Sequence, residues 1–292
     1  MIDLFSTFQS DFERRRAYLE ENGIESYRLH VPDDLIPAAI DIYKESAVIH
    51  VFDKRFLPLS DRCEEDLKNF LNIQNFFYKN KSKDNLAFPD GPHHETEIQE
   101  YGCRFHLNLS GYLDTGLFLD HRETRRWIAS QSVGKIVLNT FAYTGSFSVH
   151  AAKAGAAKTY SVDLSKTYCE WIKKNLALND LHPETNWVYK MDTLEFFKYA
   201  KKKGLTFDII IIDPPTFSRN KGESFSVQKD HPALLLAASA LLRPRGFILF
   251  STNDQEFRLN RDELRGCKIE ERKNMLPPDF EGSIPHKCCI IT

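Results

Sequence analysis

The second half of the sequence alternates short apolar runs with amphipathic segments, and this pattern predicts alternating strands and helices. The apolar runs predict strands at residues 135–140, 158–164, 187–191, 207–213 and 247–251. The segments between them predict helices at residues 146–154, 166–179, 193–203 and 232–242, with Pro232 in the first turn of the last helix. Repeated strand–helix–strand units form a parallel sheet that helices cover on both faces.

The pattern changes near the end of the chain, where two apolar segments follow one another without a helix between them. Residues 268–273 and 288–292 predict an antiparallel hairpin at the edge of the sheet. The run Phe-Asp-Ile-Ile-Ile-Ile at 207–212 is apolar on both sides and predicts a central strand. The predicted fold is therefore a doubly wound, mostly parallel, seven-stranded Rossmann-like sheet of the α/β class.

The first half has a different pattern. Apolar residues at helical spacing predict a helix over residues 5–21, and Asn22 and Gly23 end it. Residues 26–31 and 47–52 predict strands, the polar stretch 79–95 predicts a loop, and 97–109 predicts one strand leading out of this half. We therefore expect a small α+β domain over residues 1–109 and an α/β domain over residues 110–292.

Composition indicates a soluble globular protein. The 292 residues include 39 Lys plus Arg against 41 Asp plus Glu, and 42% are hydrophobic. No apolar run approaches the ~20 residues of a membrane helix, and the first residues lack a secretory or transit pattern. The six cysteines form no Cys-x-x-Cys pair, which favours reduced thiols and a cytoplasmic location.

Charge is distributed unevenly between the two predicted domains. Residues 1–108 carry a net charge of −7 and residues 109–292 a net charge of +5. Because affinity for phosphate comes mainly from clustered Lys and Arg, we expect any polyanionic partner to bind the second half. The basic candidates beside the strand-end loops are Arg122, Arg125, Arg126, Arg219, Lys221 and Arg258. Lys201, Lys202 and Lys203 end a predicted helix, where cations interact favourably with the helix dipole.

Candidate chemistry lies at the ends of the predicted strands, where open α/β sheets bind their ligands. After the first strand, residues 139–146 read Asn-Thr-Phe-Ala-Tyr-Thr-Gly-Ser and lead into a helix whose free N–H groups suit an anionic group. The dinucleotide fingerprint G-x-G-x-x-G is missing here, and only Gly145 is present. The residues alone leave open whether this is a ligand loop or an ordinary strand-to-helix turn.

Acids follow the next two strands. Asp163 lies 23 residues after Thr140, at the place where an acid accepts hydrogen bonds from ribose hydroxyls, which suggests an adenosine-type ligand. Asp192 suits the exocyclic amine of adenine. Each acid has an alternative role as a helix N-cap, although Ser165 is already available to cap the helix after Asp163.

The fourth strand ends in Asp213-Pro214-Pro215-Thr216-Phe217, the most specific signal in the chain. The two prolines fix φ near −65° and lack N–H donors, so the loop is stiff and rich in hydrogen-bond acceptors. Such acceptors, with the acid, can take amine hydrogens from a flat nitrogenous base while Phe217 stacks on its ring. We therefore predict Asp213, Pro214, Pro215 and Phe217 as catalytic residues, although Asp-Pro-Pro can also form a simple turn.

At this point the sequence resembles a known family, the class I S-adenosylmethionine-dependent RNA methyltransferases, and within it the catalytic half of bacterial large-subunit ribosomal RNA guanine-N7 methyltransferases. The leading domain resembles the family only loosely, through residues 23–29, and is shortened between Phe56 and Gln99; we also expect neither the RNA-binding leader nor the second methyltransferase half of longer members. The resemblance rests on YLDTGLFLDHRETRRWI (112–128), LNTFAYTGSFSVHAAKAGA (138–156), YSVDLSKTYCEWIKKNLALN (160–179), FDIIIIDPPTFS (207–218), LFSTNDQEFRL (249–259) and LPPDF (276–280).

The resemblance implies S-adenosylmethionine as the cofactor and RNA, specifically large-subunit ribosomal RNA, as the partner, with neither metal nor membrane involved. It implies that the segment 116–122 covers the methionine end of the cofactor and that Phe141 and Tyr143 line the cleft. Asp120 can alternatively cap the following helix. The complete set of expected cofactor contacts is Gly116, Asp120, Arg122, Asn139, Phe141, Tyr143, Gly145, Asp163, Leu164, Asp192 and Asp213.

The predicted reaction is methyl transfer to a nucleobase nitrogen. It requires donor and acceptor to be aligned at about 3 to 3.5 Å. Guanine N7 has a free lone pair, so attack needs no prior loss of a proton, and Asp213 can stabilise the cationic product ring. An exocyclic amine is a second possible acceptor for the same loop.

Three alternatives remain. Formation of 5-methylcytosine needs a cysteine nucleophile, but the fifth strand ends in Ser251-Thr252-Asn253, and Cys267 suits a buried position. A nicotinamide oxidoreductase should carry the missing glycines, and an idle RNA-binding or assembly factor should have lost the strand-end acids. A metal site at His93, His94 and Cys103 lacks a second ligand pair at zinc spacing.

Overall fold

The computed structural model describes residues 4–53, 58–81, 93–220, 223–272 and 275–292. The chain divides into two compact units. The first comprises Met1–Leu119 with Pro277–Ser283, and the second comprises Asp120–Leu276 with Ile284–Thr292. The first unit therefore continues past residue 109, where we placed the predicted boundary, and takes in a short segment near the end of the chain.

The first unit is an α+β structure with a four-stranded sheet in the order β1-β2-β3-β4. The strands β1, β2 and β3 are antiparallel, β3 and β4 are parallel, and β5 pairs with β6 as a separate antiparallel hairpin. The elements are α1 (Leu4–Glu21), β1 (Ser26–His30), β2 (Ala38–Tyr43), β3 (Ser46–Val51), α2 (Asp61–Leu71), β4 (Asn75–Asn80), β5 (Glu95–Glu100) and β6 (Cys103–Asn108).

The prediction of one strand over residues 97–109 is wrong, because the chain reverses in its middle. Tyr101 and Gly102 both have positive φ, 47° and 77°, and form the turn between β5 and β6. Positive φ at both central residues matches the right-handed twist of a tight hairpin. The predictions for α1, β1 and β3 are confirmed, whereas α2, β2 and β4 were not predicted. Part of the predicted loop 79–95 lies outside the described residues.

A buried charge cluster lies on the sheet of the first unit. The Arg28 side chain binds both carboxylate oxygens of Asp41, with Nη2 3.0 Å from Oδ2, and His50 Nε2 lies 3.1 Å from Oδ2. Burial alone would raise the pKa of Asp41, but Arg28 and His50 hold it below its usual value. Since Asp41 is only 4% exposed, its charge is compensated entirely inside the protein.

The second unit has the predicted doubly wound fold. Its seven-stranded sheet has the order β14-β15-β13-β10-β7-β8-β9, with five parallel strands and the antiparallel β14 and β15 at one edge. Its elements are α3 (Arg122–Gln131), β7 (Ile136–Thr140), α4 (Ser146–Lys153), β8 (Lys158–Asp163), α5 (Lys166–Leu178), β9 (Asn186–Lys190), α6 (Thr193–Lys203), β10 (Phe207–Ile212), β11 (Phe217–Asn220), β12 (Glu223–Ser226), α7 (Val227–Ser239), β13 (Leu242–Thr252), β14 (Ile269–Glu271) and β15 (Lys287–Ile291).

The core of this unit forms around the predicted central strand. In β10, four successive isoleucines are at most 1% exposed, because β7 and β13 flank the strand and apolar side chains pack on both faces. On one face it packs against Phe196, Leu234 and Phe250, among others. This burial fixes the end of β10, and with it the position of Asp213.

The predicted start of the fourth helix is wrong. The helix α7 begins at Val227, so Pro232 lies inside it rather than in its first turn. Proline lacks the N–H that would bond to the Gln228 carbonyl one turn earlier. The ring of His231 compensates, with Nδ1 3.0 Å from the Gln228 carbonyl and 3.0 Å from the Val227 carbonyl. This local side-chain bond explains how the helix continues through the proline.

No helix in the described ranges is both long and apolar enough to cross a membrane. The six cysteines, all of which lie in described ranges, are free thiols, as their spacing predicted. Adjacent Cys288 and Cys289 lie in β15 and are buried.

Candidate active site

The candidate site lies at the carboxyl ends of the parallel strands in the second unit. The strands β7, β8, β9 and β10 run in the same direction, so the residues that follow them share one edge of the sheet. This edge carries the segment 141–145 and the acids Asp163, Asp192 and Asp213. Such edges are the usual ligand-binding positions of open α/β sheets.

The loop between β7 and α4 has a strained backbone. Phe141, Tyr143 and Gly145 have φ values of 52°, 51° and 80°. The left-handed region is unfavourable for bulky side chains, and such residues cluster at ligand-binding sites because the surrounding structure must hold them there. An ordinary strand-to-helix turn, the alternative that the sequence left open, does not need three residues with positive φ. The backbone therefore favours a ligand loop.

Buried hydrogen bonds stabilise the loop between β7 and α4. The Asn139 amide, 2% exposed, donates to Ser148 Oγ at 3.0 Å, and the Asn175 amide donates to the Thr144 carbonyl at 2.9 Å. A Cβ atom on Gly145 would lie 2.9 Å from Cγ2 of Ile172, so glycine is required by both space and φ. Asn139 thus supports the loop through its side chain.

Asp163, at the tip of β8, links two adjacent loops. Its Oδ2 accepts the N–H of Tyr143 at 2.9 Å, and its Oδ1 accepts the N–H of Ser165 at 2.8 Å. The cap of α5 is Ser165, whose Oγ accepts the N–H of Tyr168, so Asp163 is not the N-cap. Burial raises the pKa of Asp163 and outweighs the opposing backbone hydrogen bonds. The next residue, Leu164, is 43% exposed.

Asp192, at the tip of β9, has the capping role that the sequence offered as its alternative. Its Oδ1 accepts the N–H groups of Leu194 and Glu195 at the start of α6, at 2.9 and 3.3 Å. Both bonds use one carboxylate oxygen. The cap therefore fixes the orientation of the side chain and occupies Oδ1.

The carboxylate of Asp213 follows the central strand directly. Its Oδ1 accepts the hydroxyl of Ser251 at 2.6 Å, and its Oδ2 lies 3.5 Å from Nε2 of His121. The side chain is 27% exposed, and Phe217, four residues on, is 72% exposed. The Thr216 hydroxyl bonds Asn253 Oδ1 at 2.9 Å, which ties the proline loop to the end of β13. An accessible acid and an exposed ring thus flank Pro214 and Pro215.

Two histidines beside Asp213 were not predicted. His121 follows Asp120 in a 3-10 turn, and its ring stacks on that of His286, with centroids 3.8 Å apart and planes at 15°. His286 Nδ1 lies 2.8 Å from Asp120 Oδ2, so Asp120 does not cap α3, whose N-cap residue is His121. His121 could have been predicted as a site residue because it is adjacent to Asp120 in the sequence, whereas no local sequence pattern indicates His286.

The basic candidates separate by exposure. Arg122 and Arg125 are only 0% and 1% exposed, which makes the prediction that they contact phosphate wrong. Arg126 and Arg258 are exposed, whereas the side chain of Arg219 and the whole of Lys221 lie outside what the structure describes. Gly116, with φ 107°, belongs to the first unit.

The residues at this edge fit an adenosyl cofactor. Asp163 offers carboxylate acceptors for vicinal hydroxyls, and Asp192 offers an acceptor at the next strand tip. Leu164, half-exposed, with Phe141 and Tyr143, provides apolar surface for a flat ring. Gly145 lets the loop before α4 lie close to Ile172, because a Cβ atom at residue 145 would come within 2.9 Å of that side chain.

The chain matches the family model for S-adenosylmethionine-dependent methyltransferases over residues 69–266. It is 36% identical over 312 aligned positions to the ribosomal RNA large subunit methyltransferase K/L of Shewanella amazonensis, covering 97% of this chain and 42% of that protein. It is 48% identical over 193 positions to the protein of the same name from Shewanella sp. strain ANA-3, covering 64% of this chain and 27% of that protein. The chain thus spans less than half the length of these curated relatives.

A solved structure has a similar fold over the whole chain. It is described as a methyltransferase in complex with SAH, with a TM-score of 0.85, 28% sequence identity, and coverage of 98% of this chain and 80% of that chain. The family match covers more than half of the chain and includes the strand-end acids Asp163, Asp192 and Asp213. On these grounds the chain belongs to the S-adenosylmethionine-dependent methyltransferase family.

Proposed function

We propose that this protein methylates a nucleobase nitrogen of large-subunit ribosomal RNA, with guanine N7 as the acceptor. The proposal depends mainly on the partly exposed carboxylate of Asp213, which accepts a hydrogen bond from Ser251 and lies beside His121. This carboxylate lies at the same edge of the sheet as the two acids that suit an adenosyl group, Asp163 and Asp192. The names of the Shewanella relatives support ribosomal RNA as the substrate class.

The cofactor contacts follow from the strand-tip geometry. Asp163 would accept hydrogen bonds from the ribose hydroxyls, with its carboxylate oriented by the N–H groups of Tyr143 and Ser165. Asp192 would accept the adenine amine through Oδ2, because its cap bonds use Oδ1. Phe141, Tyr143 and Leu164 would enclose the ring.

The remaining predicted contacts divide between support and the methionine end. Asn139 and Gly145 would act by shaping the loop, through the bond to Ser148 and the close approach to Ile172. Gly116 and Asp120 stay predicted contacts of the methionine end, with Asp120 acting beside its bond to His286. The Arg122 side chain is 0% exposed, so it would not contact the cofactor directly.

The acceptor would bind over the proline loop. S-adenosylmethionine supplies an activated methyl group on a sulfonium, and the transfer is an in-line displacement. Phe217 would stack on the base, and the rigid Pro214–Pro215 backbone would hold its acceptors in place. Guanine N7 attacks with its own lone pair, so Asp213 would act on charge rather than on a proton, stabilising the positive ring that forms.

The contacts of Cys288 argue against 5-methylcytosine formation. This cysteine pairs across the sheet with Ser251, so a thiol does lie near the end of β13. Burial raises its pKa well above that of a free thiol, and Cys288 is 8% exposed. The nucleophile in that chemistry is an accessible thiolate, and this thiol is neither ionised nor accessible.

Two measurements on the purified protein test the proposal. Calorimetry should detect S-adenosylhomocysteine binding and no NAD binding. Incubation with unmodified large-subunit ribosomal RNA and methyl-labelled S-adenosylmethionine, followed by nucleoside mass analysis, should yield labelled 7-methylguanosine. Labelled 5-methylcytidine would contradict the acceptor, cofactor binding without transfer would favour an idle RNA-binding factor, and binding of NAD alone would favour an oxidoreductase.

A further inference from the structure

Four polar side chains from three separate segments of the second unit form a chain of contacts that leads to Asp213. Ser251, at the end of β13, donates to one oxygen of Asp213. His121, in the turn before α3, faces the other oxygen with Nε2 at 3.5 Å. His286, before β15, stacks on His121. Asp120 then binds His286 at 2.8 Å, so each group constrains the next.

The arrangement of the rings argues against a metal site, although Asp120, His121 and His286 are ligand types whose ligating atoms lie within 4.8 Å of one another. A histidine binds a metal in the plane of its ring. Two rings stacked 3.8 Å apart at 15° have separate, nearly parallel planes, so one ion cannot lie in both. The stack instead fixes the rotation of the His121 ring, and Phe147 packs edge-on against it.

His121 is neutral in this setting. Burial lowers the pKa of His121 to about 4; the adjacent His286 and Arg125 act in the same direction, and Asp213 and Asp120 oppose them. A neutral imidazole carries one proton, on either Nδ1 or Nε2. Nδ1 is buried and has no hydrogen-bond partner among the described residues, whereas Nε2 faces the Asp213 carboxylate. The tautomer with its proton on Nε2 is therefore favoured, because its N–H points at the Asp213 carboxylate.

We propose that His121 is a positioning residue for methyl transfer: it donates from Nε2 to Oδ2 of Asp213, while Asp120 and His286 hold its ring in that orientation. This inference rests on the proposed function, because it explains how Asp213, the acid that would act on the nucleobase, is oriented. The present distance of 3.5 Å is longer than a hydrogen bond, and such contacts commonly tighten when substrate binds.

A matched pair of variants separates this role from simple packing. His121→Phe keeps a flat ring that can stack on His286 but removes the donor. His121→Gln loses the stack but places an amide N–H near the position of Nε2. His182→Gln, at an exposed position, is the control and should behave as wild type.

We expect His121→Phe to lower kcat by about 10- to 100-fold through misplacement of Asp213, with KM for S-adenosylmethionine and S-adenosylhomocysteine affinity unchanged. His121→Gln should recover most of kcat. A packing role gives the reverse order, so a Gln variant as slow as or slower than the Phe variant overturns the proposal.

The wild-type protein provides a test that does not depend on the folding of a variant. Nitrogen-15 NMR of histidine-labelled protein should find His121 neutral at pH 7 with its proton on Nε2. A proton on Nδ1, or a charged His121, would overturn the proposal. Wild-type protein that transfers no methyl group to ribosomal RNA would instead contradict the proposed function, and the tautomer would still be measured.

Discussion

Each unit contains an aspartate beside a histidine, but the two acids differ in how they are enclosed. Asp41 in the first unit is 4% exposed and has Arg28 as its charge partner and His50 Nε2 within 3.1 Å. Asp213 in the second unit is 27% exposed in its side chain, with a serine hydroxyl and a neutral imidazole beside it. A buried acid with full charge compensation stabilises a fold, whereas an accessible acid without a cationic partner can act on a ligand.

The largest expected effect on stability comes from the enclosed acid. Asp41→Asn removes the charge that compensates Arg28 inside the first unit and weakens the contact with His50. We expect the free energy of unfolding to fall by about 3–5 kcal/mol, because a charge stays buried without its partner. Denaturant unfolding measures this loss. A loss no greater than that of the exposed control Asp180→Asn would show that the cluster is not a structural element.

The accessible acid should behave in the opposite way. Asp213→Asn should lower kcat by about 100-fold or more, since it removes the negative charge beside the developing cation. We expect S-adenosylhomocysteine affinity, measured by calorimetry, to fall far less than kcat, because the contacts predicted for Asp163 and Asp192 remain, and thermal stability to stay near wild type. Asp180→Asn is again the control. Unchanged turnover in Asp213→Asn would remove this acid from the mechanism and erase the difference between the two acids.

The third prediction concerns how the stability of the protein changes with pH through His121. The pKa of His121 is lowered to about 4 by burial, whereas in the unfolded chain it is near 6.5. Below pH 6.5 the unfolded state therefore binds a proton that the folded state does not, and stability falls as the pH decreases towards 4. This one group contributes at most about 1.4 kcal/mol per pH unit.

His121→Phe removes that contribution, so the variant should lose less stability than wild type between pH 6.5 and 4. Burial also lowers the pKa values of His50 and His231, but these groups are present in both proteins and cancel in the difference. Denaturant unfolding at several pH values makes the comparison. Parallel stability curves for the two proteins would contradict the burial of a neutral His121.

The smallest effect concerns the division of roles between Asp163 and Ser165. Ser165→Ala removes the hydroxyl cap of α5 and should cost about 1 kcal/mol of stability. Cofactor affinity should not change, because Asp163 is held by backbone N–H groups. Unfolding and calorimetry on the same sample test both statements. A large loss of cofactor affinity without loss of stability would reverse the assignment.

The second unit could be predicted well because its signals are local. Its strands are continuous apolar runs such as β10, and its helices have clear boundary residues such as Gly204. In the first unit, β2 is buried along its whole length and contains Asp41, so neither alternation nor an uninterrupted apolar run marked it. The hairpin between β5 and β6 depends on Tyr101 adopting positive φ, which its residue type does not indicate.

The strand-end acids of the site could be predicted because parallel strands gather their carboxyl ends. The sequence could not show that Arg122 and Arg125 are buried, since a charged residue normally indicates surface. It also could not bring His286 beside His121, because the two are distant in sequence and meet only through the fold. Contacts of this kind depend on tertiary structure, for which a single sequence carries no local pattern.

A crystal structure of the protein with S-adenosylhomocysteine bound tests the central claim most directly. The account predicts ribose hydroxyls within hydrogen-bond distance of Asp163, adenine beside Asp192 and Leu164, and the sulfur directed towards the loop that begins at Asp213. Cofactor bound elsewhere, or an edge of the sheet at which Asp163 contacts only protein, would contradict it.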